Sequence, residues 1–295
     1  MIDRRQLGWG AAAALMAATG AFAATKPEWH VVLLAGQSNM AGRGKLPEPP
    51  DAEASGGADI WMWDPEAGIV PARDPIVHPE RGAKPTAVGP GMSFAHAYLS
   101  GLKRRNARVL LVGAAWGGTS FGQKVKGLGQ RWLATDDVAV GGDLYREAVT
   151  RANAALAAAG RTGKASFDAI LWHQGESDIQ RGDMTAYPEM HSALMQALRT
   201  KITGAADAPV VVAEMTPQFL AREGKAVEAI DAGQIARFQA YIHAIDAHIG
   251  RAGWVTSQGL SCNAGDPLHF DFASQRELGR RYAVRLVQLM KQRRA

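Results

Sequence analysis

The 295-residue sequence contains one cysteine, Cys262, so no disulfide can form within the chain and its stability has to come from packing. It also lacks a dense run of lysine or arginine, although its formal net charge is +5. Scattered basic residues favour general solubility over nucleic-acid binding. After the N-terminus, no apolar run is long enough to span a bilayer. With 47% hydrophobic residues, the sequence predicts one fairly large soluble domain.

The first 23 residues have the pattern of a signal peptide. Arg4 and Arg5 precede an apolar, alanine-rich stretch from Leu7 to Ala18, and Ala21-Phe22-Ala23 is typical of a cleavage site. A buried N-terminal helix is the alternative interpretation. We therefore expect a signal peptide over 1–23, a single domain over 24–295, and a periplasmic or secreted protein. The arginine pair leaves both the general and the twin-arginine export routes open.

Buried strands alternate with helical patterns along the rest of the chain. Apolar residues at three-to-four spacing indicate helices, and short apolar runs without alternation indicate strands covered on both faces. The predicted strands are His30–Ala35, Val109–Ala114, Phe167–His173, Val210–Met215 and Trp254–Ser257. This alternation predicts an α/β fold with a mainly parallel sheet.

The stretch from Arg43 to Pro90 departs from this rhythm. It is rich in proline and glycine and is much longer than an ordinary strand-to-helix loop, so we expect it to be either functional or disordered. Trp61 and Trp63, which flank Met62, favour an ordered and partly buried segment.

Polar clusters follow four of the five predicted strands. Because ligands bind beyond the carboxyl ends of parallel strands, these clusters are expected to meet at one sheet edge. They are Gly36-Gln37-Ser38-Asn39-Met40, Trp116-Gly117-Gly118-Thr119-Ser120, Trp172-His173-Gln174-Gly175-Glu176-Ser177-Asp178 and Asp266-Pro267-Leu268-His269.

Ser38 and His269 could form a nucleophile and its base. A serine hydroxyl needs an adjacent base, and the base needs a carboxylate that fixes its tautomer. Asp266, three residues before His269, can supply that carboxylate. Each residue also has a structural alternative: Ser38 as a helix N-cap, Asp266 as a turn residue and His269 as a surface histidine. An α/β-hydrolase elbow is disfavoured because position 40 is methionine rather than glycine.

Other chemistries have weaker support in the sequence. Cys262 is close enough to His269 in sequence to be an alternative nucleophile, but nothing near it favours a lowered thiol pKa. The remaining histidines lack ligand spacing, so no metal is expected. The glycine-rich stretches do not form a phosphate- or dinucleotide-binding loop, and no cofactor is expected.

Together, the four clusters resemble the motif blocks of the SGNH (GDSL-like) hydrolase superfamily. Within it they are similar to the sialate O-acetylesterase / carbohydrate esterase family 6 group, which includes acetyl xylan esterases. The resemblance extends to Arg73-Asp74-Pro75-Ile76, Val88-Gly89-Pro90-Gly91 and the segment from Ala273 to Gly279. It implies a three-layer α/β/α sandwich with a flavodoxin-like, five-stranded parallel sheet.

The resemblance also implies a role for each site residue. Ser38 would attack an ester carbonyl, with His269 as base and Asp266 orienting its ring. The oxyanion would be held by the N–H groups of Ser38 and Gly117, with Gly118 an alternative to Gly117, and by the Gln174 amide. Asn39 and Glu176 would support the site, Glu176 having a solvent-facing position as its alternative. Asp178 is predicted as a helix N-cap, His173 as a core histidine and Trp116 as a pocket wall.

The expected function is removal of O-acetyl groups from a carbohydrate such as acetyl xylan, through an acetyl-serine intermediate. Acetylated sialic acid, acetylated peptidoglycan and small acyl esters are alternative substrates for the same triad. A non-catalytic carbohydrate-binding protein on a hydrolase scaffold is the alternative from another class. The expected partner is the acetylated carbohydrate, with no nucleic acid and no membrane after removal of the signal peptide.

Overall fold

The fold is taken from a computed structural model that describes residues 25–79, 87–122, 131–137, 143–181 and 184–292. The predicted signal peptide lies outside the described residues. No helix within these ranges is both long and apolar enough to cross a membrane.

All five predicted core strands are present, and they pair in parallel. In chain order they are β1 (Glu28–Gly36), β6 (Ala107–Gly113), β7 (Lys164–His173), β8 (Val210–Ala213) and β9 (Ala252–Val255). Their spatial order is β6-β1-β7-β8-β9, which is the flavodoxin-like order in which the first strand lies between the second and the third. The predicted fold class is therefore confirmed, and the carboxyl ends of these strands share one edge.

The sheet has seven strands rather than the predicted five. The additional strands β3 (Ile60–Asp64) and β4 (Gly68–Pro71) come from the proline- and glycine-rich stretch, where β3 pairs in parallel with β6 and β4 antiparallel with β3. The same stretch contains a 3₁₀ helix (Ala52–Ala54) and the two short strands β2 (Gly44–Lys45) and β5 (Ala87–Val88), which pair with each other. Both tryptophans of β3 are partly buried, in agreement with the prediction of an ordered segment.

Helices cover both faces of the sheet. Alternate residues of β1 face opposite layers: Val31 and Leu33 pack with one group of helices, Val32 and Leu34 with the other. The first layer holds α3 (Asp143–Thr162), α5 (Tyr187–Lys201) and α7 (Ala232–His243); the second holds α2 (Gly91–Leu102) and α9 (Phe272–Gln292). The shorter helices are α1 (Ser38–Ala41), α4 (Glu176–Gln180), α6 (Pro217–Ala221) and α8 (Ile245–His248).

An arginine of the last helix holds the long stretch in place. The guanidinium of Arg276, buried in α9, binds both carboxylate oxygens of Asp51 at 2.7 and 3.0 Å and one oxygen of Asp74 at 2.7 Å. Two carboxylates from the stretch thus neutralise one buried cation, and a charge that lost these partners would be costly to bury. The segment between β2 and β5 is therefore fastened to the helix that follows the predicted catalytic histidine.

A buried polar cluster also lies toward the amino ends of the parallel strands, at the sheet edge opposite their carboxyl ends. The register of β1 and β7 shifts between Val31 and Val32, which leaves Asp168 as an extra residue in β7. Its carboxylate accepts hydrogen bonds from His30 Nδ1 and the Tyr98 hydroxyl, each at 2.6 Å. A cavity of about 950 Å³ opens beside it, lined on one side by α3. This edge is remote from the carboxyl ends of the strands, where the predicted site residues lie.

Candidate active site

Ser38 is placed by a tight turn at the end of the central strand. Gly36 has φ of +125°, and a Cβ there would lie 2.1 Å from the carbonyl oxygen of His173, so only glycine fits. The N–H of Gln37 then donates to that carbonyl at 2.8 Å, and α1 begins at Ser38. As the first helical residue, Ser38 has an N–H with no acceptor four residues earlier in the helix.

The structure brings Ser38, His269 and Asp266 together. His269 Nε2 lies 2.9 Å from Ser38 Oγ, and His269 Nδ1 lies 2.7 Å from Asp266 Oδ2. The second carboxylate oxygen of Asp266 accepts the N–H of Leu268 at 3.0 Å, which fixes the carboxylate within its own turn. A carboxylate at Nδ1 keeps the proton on that nitrogen, so Nε2 can accept the serine proton.

Asn39 joins the serine turn to the histidine turn. Its buried side-chain amide donates to the carbonyl of Leu268 at 2.9 Å and accepts the N–H of Phe270 at 3.2 Å, so it binds the chain on both sides of His269. The same amide donates to Glu176 Oε1 at 2.7 Å. Asn39 therefore contacts the residues to either side of His269.

Glu176 is a buried residue and not the solvent-facing one that was the alternative. Its Oε1 accepts from Asn39 and lies 3.5 Å from His173 Nδ1. Burial acts to raise the pKa of Glu176, but the His173 ring and the Asn39 amide outweigh it and hold that pKa below its ordinary value. His173 donates from Nε2 to the carbonyl of Glu214 at 3.1 Å and is fully buried, as expected for a core histidine.

The loop that follows β6 passes directly beside the serine turn. The N–H of Trp116 donates to the carbonyl of Gly36 at 3.0 Å, which places Gly117 next to the turn that carries Ser38. Gly118 has φ of +70°, a conformation that favours glycine. Trp116, the predicted pocket wall, is partly buried against the hydrophobic core.

Gln174 does not present its amide to an oxyanion in this structure. Its Nε2 donates to the carbonyl of Thr119 at 3.2 Å and to Asp178 Oδ2 at 2.5 Å, so both amide hydrogens are already used. The geometry thus argues against the third oxyanion donor that the resemblance implied. The physical reason is the buried Asp178 carboxylate, which competes for the same amide.

Asp178 was predicted as a helix N-cap, but it lies inside α4, whose N-cap is Gly175. Its carboxylate binds another segment: it accepts the N–H groups of Phe121 and Gly122 at 3.0 and 3.1 Å, together with the Gln174 amide. Burial raises the pKa of Asp178 to about 6, against the effect of these hydrogen bonds. Three donors converging on one buried carboxylate fix the end of the loop that carries Gly117.

Replacing Asp178 with alanine should destabilise the fold measurably. Three buried donors would lose their acceptor, and each unsatisfied donor costs about 1–3 kcal/mol, offset in part by the removed cost of burying the carboxylate. We expect the free energy of unfolding in urea to fall by about 2–4 kcal/mol. Asp231→Ala is the matched control, because Asp231 caps α7 through one exposed bond to Gly233 N–H; its loss should be about 1 kcal/mol. Equal losses for both variants would contradict the structural role given to Asp178.

The alternative chemistries have little support in the geometry. Burial raises the pKa of the Cys262 thiol, and its sulfur contacts the Gln218 side chain and the carbonyl of Pro267. A raised pKa leaves less thiolate, which is the reactive form. Within the ranges that the structure describes, no three His, Cys, Asp or Glu side chains are grouped closely enough to hold a metal ion.

Ser38, His269 and Asp266 lie in hydrogen-bonded series at the carboxyl edge of a flavodoxin-like sheet, an arrangement typical of hydrolases that use a serine. The family can also be stated. A sequence profile of the family described as "Carbohydrate esterase, sialic acid-specific acetylesterase" matches residues 28–288, and the chain belongs to this family. Membership of this family confirms the resemblance seen in the motifs.

Individual relatives agree with this assignment. A probable carbohydrate esterase of Arabidopsis thaliana, At4g34215, is 29% identical in an alignment of 191 residues that covers 59% of this chain and 64% of that relative. The chain thus spans less than two thirds of the curated relative that it matches. The crystal structure of the same Arabidopsis protein superposes with a TM-score of 0.66 at 22% identity, covering 89% of this chain and 98% of that one.

Two further solved structures share the fold. NanS has a TM-score of 0.69 at 20% identity, with 91% of this chain and 99% of NanS covered. XAC1771 of Xanthomonas citri, described as a novel carbohydrate acetylesterase, has a TM-score of 0.58 at 15% identity, with 89% of this chain and 57% of XAC1771 covered. At these identities the superpositions establish the architecture.

Proposed function

We propose that this chain is a carbohydrate O-acetylesterase in which Ser38, His269 and Asp266 form the catalytic triad. The observation that carries the proposal is the hydrogen-bonded series from Ser38 Oγ to His269 Nε2, at 2.9 Å, and from His269 Nδ1 to Asp266, at 2.7 Å. Membership of a carbohydrate esterase family supports the reaction type. The half-buried His269 ring, with 23% of its side chain exposed, leaves room for a substrate to approach.

The chemistry follows from the two ring nitrogens of His269. Nε2 removes the Ser38 proton as Oγ attacks the acetyl carbonyl, and the resulting imidazolium is stabilised by Asp266 at Nδ1. The imidazolium then protonates the sugar oxygen as its bond to the acyl carbon breaks, so the sugar leaves with a free hydroxyl and acetyl-Ser38 remains. Water, activated by the same nitrogen, hydrolyses this intermediate and releases acetate.

The oxyanion of each tetrahedral intermediate is assigned to backbone donors. The Ser38 N–H belongs to the first turn of α1, and Gly117 lies on the loop bound to the serine turn through Trp116 and Gly36. Such donors stabilise the charge that develops on the carbonyl oxygen. Gln174 could join them only after its amide leaves Asp178 and Thr119, so the proposal rests on the two backbone groups.

The substrate class is a short-chain ester on a sugar. Acetylated xylan, acetylated sialic acid and acetylated peptidoglycan fragments all carry this group, and export by the predicted signal peptide would bring the protein to substrates outside the cytoplasm. Trp116, partly buried beside Gly117, is the side chain proposed to form one wall of the pocket.

Acetate release from these three substrates, measured with the purified chain, tests the proposal and selects among them. We expect release from at least one of them. We also expect an aryl acetate to be cleaved with a kcat/KM roughly tenfold or more above that of the butyrate ester, because a site that fits an acetyl group would have to accommodate additional methylenes. Cleavage of long-chain aryl esters at equal rates, with no acetate released from any glycan, would indicate a general esterase instead.

A further inference from the structure

Asn263 lies three residues before Asp266, in a position that the motif blocks did not indicate. Its main chain closes the turn that carries the histidine: its N–H donates to the carbonyl of His269 at 3.0 Å, and its carbonyl accepts the N–H of Asp266 at 3.0 Å. Both residues of the proposed acid–base pair are therefore hydrogen-bonded to the backbone of this one residue.

The Asn263 side chain reaches away from that turn toward the serine. Its Nδ2 donates to the carbonyl of Phe270 at 3.3 Å and to the carbonyl of Arg43 at 3.1 Å. Arg43 follows Gly42, whose N–H binds the carbonyl of Ser38 at 2.8 Å. Since both partners are carbonyl oxygens, only the amide nitrogen can face them, which fixes the orientation of the side chain.

We propose that Asn263 is a positioning residue that sets the separation of Ser38 and His269. It is the counterpart of Asn39: Asn39 reaches from the serine side to the backbone around His269, and Asn263 reaches from the histidine side to the backbone beyond Ser38. The hydrogen bonds of these two side chains run in opposite directions between the Ser38 turn and the His269 turn, so they resist both sliding and separation of the two turns. The inference rests on the proposed function, because it assumes that proton transfer from Ser38 to His269 is the step that needs this geometry.

Removing the side-chain amide should therefore slow the chemical step and leave substrate binding unchanged. In Asn263→Ala we expect kcat on an aryl acetate to fall about 10- to 100-fold, because a misplacement near 1 Å costs about that much. KM should stay within about twofold, since the hydrogen bonds of Asn263 to other described residues go to backbone carbonyls and N–H groups of this chain. The rate at which an aryl phosphonate labels Ser38 should fall in parallel, because labelling needs the same serine–histidine geometry.

Asn153→Ala is the matched control for this substitution. Asn153, on α3, likewise donates its amide to a backbone carbonyl, Lys201 O at 3.0 Å, and accepts a backbone N–H, Thr203 N at 2.9 Å, but it lines the cavity at the opposite sheet edge. Its kcat should equal that of the parent. Asn263→Ser keeps a single donor, so it should recover part of the lost kcat, and it replaces Asn263→Ala as the test if the alanine variant fails to fold.

Three results would overturn the positioning role: parental kcat in a folded Asn263→Ala variant, a raised KM with kcat unchanged, or a loss of kcat without slower phosphonate labelling. Ser38→Ala, assayed on the same ester, separates this inference from the proposed function. An inactive Ser38→Ala beside a fully active Asn263→Ala would overturn the inference alone. Activity in Ser38→Ala would overturn the proposed function, and the inference with it.

Discussion

Ser38→Ala is expected to lower kcat for an aryl acetate by roughly 10⁴-fold or more, since the proposed acyl intermediate forms on the Ser38 hydroxyl. Alanine fits the first turn of α1 without strain, and the Ser38 N–H is retained. The folded fraction and the melting temperature should therefore stay close to those of the parent. Steady-state hydrolysis, together with mass spectrometry after exposure to an aryl phosphonate, measures both parts of the expectation.

Ser93→Ala is the appropriate comparison for Ser38→Ala. Ser93 is also a buried serine in the first turn of a helix, α2, but its hydroxyl donates to backbone carbonyls, those of Pro90 and Gln275. This variant should keep parental activity and should still be labelled at Ser38. Retention of hydrolysis in Ser38→Ala, or failure of the parent to label at Ser38, would remove Ser38 as the nucleophile.

The second large effect is expected from Asp266→Asn, which should lower kcat by roughly 10³- to 10⁴-fold. The new amide would donate to His269 Nδ1, so the ring proton would move to Nε2. That nitrogen would then face Ser38 Oγ, 2.9 Å away, as a donor and could no longer accept the serine proton. The carbonyl oxygen of the asparagine can still accept the Leu268 N–H, so the turn should persist.

Asp271→Asn controls for the loss of a carboxylate in the same region. Asp271 accepts the N–H of Ser274 at the start of α9, a capping role that asparagine performs equally well. We expect parental kcat in this variant and the large loss only at position 266. A loss below about tenfold in Asp266→Asn would mean that the carboxylate contributes little to the base, and that His269 is oriented by the backbone of its turn.

The core of the fold could be predicted because it depends on burial. The strands covered on both faces form continuous apolar runs, and their alternation with helices leaves few possible topologies. The strands β3 and β4 could not be predicted in the same way. Trp61-Met62-Trp63 is a short run among glycines and prolines, and it forms a strand only because the edge of β6 is available for pairing. Whether this run forms a strand therefore depends on tertiary pairing, which the local sequence does not encode.

The candidate site likewise contains residues that the sequence could predict and contacts that it could not. The sequence predicts Ser38, Asp266 and His269 as a group because their motifs follow strands whose ends meet at one edge, and because these motifs together resemble those of a known hydrolase superfamily. The sequence could not predict contacts between side chains that are distant along the chain. Asn39 and Glu176 are 137 residues apart, and only the folded chain shows that they share a hydrogen bond. The Gln174 amide is a similar case, because its two hydrogens are taken by groups that the motif does not display.

The hydrogen bond between Ser38 and His269 joins residues 231 positions apart, one in the short helix that follows the first strand and the other in the turn before α9. A ribosome therefore completes the nucleophile long before its base exists. Every nascent or prematurely terminated chain that stops short of Asp266 carries the serine without a means to activate it. Under the proposed triad, hydrolytic capacity arises only once His269 has been synthesised, and proteolytic removal of the segment that carries Asp266 and His269 would end it.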